Sequence, residues 1–162
     1  MKVAHLITSK IFAGIEQHVF ELAQATGHEI DHIILCDKAL GTSFVGISTH
    51  MIKIGSRRSP VSIIKLAWYL TKNNINILHC HGAKASSIGI WIGRLTQAKV
   101  VITIHGQKSH QSSLKHADAI IGVNRKLVKG IPNAVFIPNW FNPSHLGQPS
   151  SRTGPVIAVG RL

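Results

Sequence analysis

Ile75-Asn76-Ile77-Leu78-His79-Cys80-His81-Gly82 and Val100-Val101-Ile102-Thr103-Ile104-His105-Gly106 are two apolar runs that each break off at a histidine followed by glycine. A strand buried on both faces reads as a near-continuous Val/Ile/Leu run, the mark of a parallel sheet. Ligands of open α/β sheets gather outside the carboxyl ends of the strands. Two imidazoles delivered to that edge, each with a glycine that admits close approach, are the leading pointer to a site.

The flanking sequence alternates between the same kind of run and segments of helical period. Lys2–Thr8 reads as a strand and Ile11–Gly14 as a loop. Ile15–Thr26 follows as a helix, with Ile15, Val19, Leu22 and Ala23 at helical spacing. Glu29–Cys36 and His50–Ile54 are the next strands. Pro60 opens a helix reaching about Asn73, with Ser59 as its cap. Ile75–Cys80 is the fourth strand, Lys84–Leu95 a helix and Val100–Ile104 the fifth strand. A short helix at Gln111–His116, a strand at Ala119–Val123, a turn or two of helix at Arg125–Lys129 and a strand at Ala134–Ile137 complete the series. Strands separated by helices imply βαβ units and a Rossmann-like, doubly wound parallel sheet. Right-handed crossovers then bring Ala13-Gly14, His81-Gly82, His105-Gly106, Val123-Asn124 and Pro138-Asn139 to one edge.

Composition narrows the class. The chain has 162 residues, enough for one ordinary domain with a proper core. Its apolar runs are far short of the roughly 20 residues that span a bilayer. Met1-Lys2 leads straight into the first strand without a signal-peptide pattern, so a cytoplasmic protein is expected. Cys36 and Cys80 both fall at strand ends and read as free buried thiols. Eighteen Lys and Arg against six Asp and Glu give a formal charge of +12, which favours an anionic partner. The basic residues are scattered and not interleaved with aromatics, so no nucleic-acid platform is expected. Paired glycosidase-type carboxylates, a Walker loop and a Gly-x-Ser-x-Gly elbow are not found.

The ordered series of motifs resembles the amino-terminal half of a GT-B glycosyltransferase of the retaining family 4 (group 1) type. The residues that carry the resemblance are Ala13-Gly14-Ile15-Glu16-Gln17-His18-Val19, Ile77-Leu78-His79-Cys80-His81-Gly82 and Thr103-Ile104-His105-Gly106. Ala117-Asp118-Ala119-Ile120-Ile121-Gly122-Val123 and Ile137-Pro138-Asn139 follow in order, and Ala158-Val159-Gly160-Arg161-Leu162 resembles the opening strand of the second domain. The resemblance implies two Rossmann-like domains across a cleft, an acceptor-side one and one that holds most of a nucleotide-sugar donor. It implies residues 1–139 as the acceptor-side domain and 155–162 as the first strand of a donor domain cut short. Residues 140–154, rich in Pro, Ser, Gly and Asn, read as the linker between them. Transfer would retain anomeric configuration and require neither metal nor cofactor, and the chain alone would be inactive.

Individual residues then acquire expected roles. His105 is the catalytic-centre candidate, since the resemblance places a histidine there against the donor sugar, where imidazole can donate to a hydroxyl or stabilise charge. Gly14, before a helix amino terminus, and Arg161 are the donor-phosphate candidates. Glu16, His81 and Lys84 are the acceptor-binding candidates, although a first-turn carboxylate such as Glu16 is also favoured by the helix dipole alone. His79 reads as a satisfied interior histidine and Asp118 as structural. A zinc site from His79, His81 and His105 is chemically conceivable, but no ligand spacing supports it. The acceptor class is a cell-envelope glycan or glycolipid. Arg57-Arg58 with Ile63, Ile64, Trp68, Lys65 and Lys72 forms a basic helix with a broad apolar side. It packs on the sheet, and it would also suit peripheral contact with the anionic inner face of a cell membrane. The competing class is a non-catalytic Rossmann-like module that binds an anionic ligand or partner at its positive edge.

Overall fold

A computed structural model describes residues 1–53, 59–106 and 114–139. Seven strands form one sheet: β1 (Lys2–Ile7), β2 (Asp31–Cys36), β3 (Ser48–Met51), β4 (Ile77–His81), β5 (Lys99–Ile104), β6 (Ala119–Gly122) and β7 (Ala134–Phe136). They run in the order β3-β2-β1-β4-β5-β6-β7, and every neighbouring pair is parallel. The fold is the expected Rossmann-like α/β sheet. Its strand order reverses between β1 and β4, which puts the topological switch point at Ile7 and His81.

Alternation along the strands builds two core layers. Ala4, Leu6, Leu78, Cys80, Val100 and Ile102 face one way and pack with Leu66, Ala67 and Leu70 of α2 (Pro60–Lys72) and Ala85, Ile88 and Ile92 of α3 (Ala83–Gly93). Ile7, Ile34 and Cys36 face the other way and meet Val19 of α1 (Gly14–Thr26), with Leu40 and Phe44. Both cysteines are free and buried.

Element ends differ from the sequence reading where the backbone finds a local partner. The β2 strand starts at Asp31 because the Glu29 and Ile30 N–H groups turn back to Thr26 O, both at 3.0 Å. The β4 strand starts at Ile77, because Asn74 has φ +53° and Ile75 N–H still bonds Leu70 O at 3.0 Å. The β3 strand lies slightly upstream of His50–Ile54. Ser59 Oγ caps α2 by accepting from Ser62 N–H at 3.5 Å, with Pro60 in the first turn. A single 3-10 turn, Lys38–Leu40, follows Asp37, and α4 is the short Arg125–Val128. The first half of the helix expected at Gln111–His116 falls outside the described residues, as do Arg57, Arg58, the expected 140–154 linker and 155–162 strand, and Arg161.

Candidate functional site

Parallel strands put the carboxyl ends of β1, β4, β5, β6 and β7 on one edge, so the loops singled out by sequence meet there. The α1 helix starts at this edge with Gly14. A Cβ added there would meet nothing within 4 Å, so the backbone at the start of α1 can be approached closely. Gly82 precedes α3 with φ +83°, a left-handed conformation that a side chain rarely adopts. Lys84 lies in the first turn of α3.

Glu16 is 2 % exposed. Its Oε2 accepts from Ala13 N–H at 2.9 Å and its Oε1 accepts from the Ser9 hydroxyl. The carboxylate ties the 9–13 loop to the first turn of α1. His81, the other buried acceptor candidate, is 2 % exposed and uses both ring nitrogens inside the protein. It is enclosed beneath His105. His105 is half-buried just beyond β5, with its Nε2 3.4 Å from His81 Nδ1.

These two histidines belong to a larger cluster on the α1 face of the sheet. His5 Nδ1 lies 3.2 Å from His81 Nε2, and His5 Nε2 lies 2.9 Å from His32 Nδ1. His79 Nε2 bonds Thr103 Oγ1 at 2.7 Å, so His79 is the satisfied interior histidine expected of it. From α1, His18 sets its ring edge-on to His105, with centroids 5.2 Å apart. His18 Nδ1 is the one buried side-chain polar atom without a partner among the described residues.

Burial keeps this cluster uncharged. Burial first and neighbouring imidazoles second push His79 down to about 3 and His105 down to about 4. His5 and His81 are held well below the ordinary imidazole range for the same reasons. Burial also lowers His18 and His32, partly opposed by Glu21 and Asp31 respectively. One ring nitrogen from each of His5, His79 and His81 lies within 4.8 Å of the others, close enough to seek a metal there. His5 Nδ1 and His81 Nε2 are, however, already bonded to each other, and His105 does not join this group.

Sequence reasoning missed His5, His18 and His32. A histidine inside an otherwise apolar strand run was the available signal for His5 and His32, because a buried imidazole needs a partner. His18 lies three residues after Ile15 and four before Leu22, so helical spacing put it beside the sheet-facing stripe, but which strand histidines it would meet was not given by that spacing. Asp118 is structural: it accepts from Val100 N–H at 2.8 Å and pairs with Lys99 at 3.1 Å. A hollow of about 900 Å³ between Leu70, Asn74, Arg94 and Lys99 lies at the opposite edge of the sheet and touches none of the clustered histidines.

Residues 12–139 match the model of Glycosyltransferase Family 4. No curated protein sequence matches the chain. Among solved structures, a glycosyltransferase from Rickettsia africae is 17 % identical with a TM-score of 0.66, over 90 % of this chain and 46 % of its own. HepE from Anabaena, in complex with UDP-glucose, is 16 % identical with a TM-score of 0.70, over 89 % and 45 %. The lipopolysaccharide outer core galactosyltransferase WaaB is 12 % identical with a TM-score of 0.65, over 83 % and 44 %. The chain therefore spans about half the length of the structures it resembles.

Proposed function

Because the chain belongs to Glycosyltransferase Family 4, we propose that it is the acceptor-side domain of a retaining glycosyltransferase. It contributes one wall of a cleft in which a sugar passes from a nucleotide-sugar donor to a cell-envelope glycan or glycolipid. The observation that carries this reading is the gathering of Gly14, Gly82 and His105 at the switch-point edge. That HepE was captured with UDP-glucose supports the donor class, and WaaB's lipopolysaccharide substrate supports the acceptor class.

The α1 amino terminus at Gly14 presents N–H donors to the donor diphosphate, and His105 lies against the donor sugar. His81 and Glu16 act from beneath, one holding His105 and the other the 9–13 loop, while Lys84 in the first turn of α3 reaches the acceptor. We assign residues 1–139 to this domain. No metal or cofactor takes part. Among the described residues no helix is long and apolar enough to cross a membrane. Exposed Val61, Ile64 and Trp68 on α2, flanked by Lys65 and Lys72, suit peripheral contact with an anionic inner membrane face.

Titration of the ¹⁵N-labelled chain with UDP-glucose tests the site, and a transfer assay tests completeness. The expected result is weak binding with shifts at Gly14, Ile15, Gly82 and Gly106, and no turnover without a donor domain. Shifts confined to the Asn74–Arg94 hollow would overturn the site, and sugar transfer by these residues alone would overturn the half-site reading.

A further inference from the structure

Four of the clustered histidines lie on a regular diagonal. His32 is level with Val3, two residues before His5 on the next strand. His5 is level with His79, two residues before His81 on the strand after that. His81 is level with Thr103, two residues before His105. Each step crosses one strand and climbs two residues, so all four side chains stand on the α1 face within reach of one another. The diagonal joins the ligand edge at His105 to the opposite end of the sheet, where His32 Nε2 meets Thr26 Oγ1 at 2.8 Å.

The direction of the bonds follows from counting hydrogens. Thr26 has one O–H, and it goes to Leu22 O at 2.7 Å. Thr26 Oγ1 therefore accepts, and His32 Nε2 must carry the hydrogen. Burial disfavours the imidazolium form of every ring on the diagonal, so each ring has one N–H and one bare nitrogen. His32 Nδ1 is then bare and accepts from His5 Nε2–H at 2.9 Å. His5 Nδ1 accepts from His81 Nε2–H at 3.2 Å, and His81 Nδ1 accepts from His105 Nε2–H at 3.4 Å. Reversing one link requires reversing all of them, because a neutral imidazole cannot donate from both nitrogens.

We propose that Thr26, His32, His5 and His81 form a directional relay that fixes His105 as the Nε2–H tautomer, leaving its bare Nδ1 to accept a hydrogen bond from a substrate hydroxyl. The four are positioning residues, and His105 is an acceptor rather than a donor toward a bound sugar. The identity of that hydroxyl rests on the transferase reading; the tautomer does not.

Long-range ¹H–¹⁵N NMR on the full 162-residue chain, above the ordinary imidazole range, reads each tautomer directly. The expected result is Nε2–H at His5, His32, His81 and His105. Thr26→Val removes the anchor and should lower the Nε2–H to Nδ1–H ratio at His105 on the order of fivefold, the equivalent of one net hydrogen bond. Thr26→Ser should keep it. If Thr26→Val does not fold, His32→Phe, which keeps ring bulk and removes both nitrogens, should lower the same ratio. The Nδ1–H form at any of the four, an unchanged ratio in the folded variants, or stoichiometric zinc capture by His5, His79 and His81 would overturn the relay. Failure of UDP-glucose to bind would remove the substrate assignment and leave the tautomer result standing.

Discussion

Acidification should unfold this protein by an amount the buried imidazoles set. His5, His79 and His81 are almost fully enclosed and are held neutral by burial first and by neighbouring imidazoles second. In the unfolded chain each returns to the ordinary value of 6.5, whereas folded His79 is pushed down to about 3. Between these values the unfolded chain binds more protons, so stability is complete above about 6.5 and falls as pH drops, the His79 share being fully lost only near 3. At pH 5 each proton taken up only by the unfolded chain costs about 2 kcal/mol, from about 1.4 kcal/mol per pH unit. Three such groups cost on the order of 6 kcal/mol, a large share of the roughly 5–15 kcal/mol that holds a domain together. The groups facing them are His18, His32 and His105, of which only His18 and His32 gain relief, from Glu21 and Asp31. Urea unfolding followed by far-ultraviolet circular dichroism from about pH 7.5 down to about pH 5 measures the loss, and His79→Gln should remove about a third of it. A stability that moves by less than about 1 kcal/mol over that range would refute the reasoning.

Other consequences are more local. A Cβ at Gly89 would sit 2.2 Å from Cys80 Sγ, so Gly89→Ala should destabilise by about 1–2 kcal/mol, the overpacking cost exceeding the gain in helix propensity. Denaturant midpoints of the single and double variants should show that Cys80→Ala relieves most of it; additive losses would count against the contact. Glu16→Ala strips the acceptor from Ala13 N–H and Ser9 and should cost about 1–2 kcal/mol, with faster amide exchange at Ala13, while Glu16→Gln should cost less. Equal exchange rates in both variants would show that the loop is held otherwise. Asp118→Ala should weaken the start of β5, read as faster exchange at Val100, because Asp118 Oδ2 accepts from that N–H at 2.8 Å; Val100 protection equal to the parent's would contradict this.

Much of the architecture is legible in one dimension because it rests on short-range signals. Strands buried on both faces declare themselves as Val/Ile/Leu runs, and helices declare themselves by period and by caps such as Ser59-Pro60. Given parallel strands, the handedness of the crossovers already forces Gly14, Gly82 and His105 onto one edge. Element ends escaped this logic where a turn hydrogen bond competed with the ladder, as at Ile75 and Ile30.

The site divides along the same line. That His81 and His105 end their strands is a property of the sequence. That His81 is sealed under His105, that Glu16 closes a loop, and that His5, His32 and His18 share one cluster are properties of register and helix packing. Whether two histidines meet depends on which strands are neighbours and on a two-residue offset between them, and neither is written in local periodicity. Sequence by itself determined the fold class and which loops share one edge of the sheet. Tertiary structure decided which imidazoles are buried, how they are hydrogen-bonded and what charge they carry, because desolvation and hydrogen-bond direction exist only once distant strands have paired.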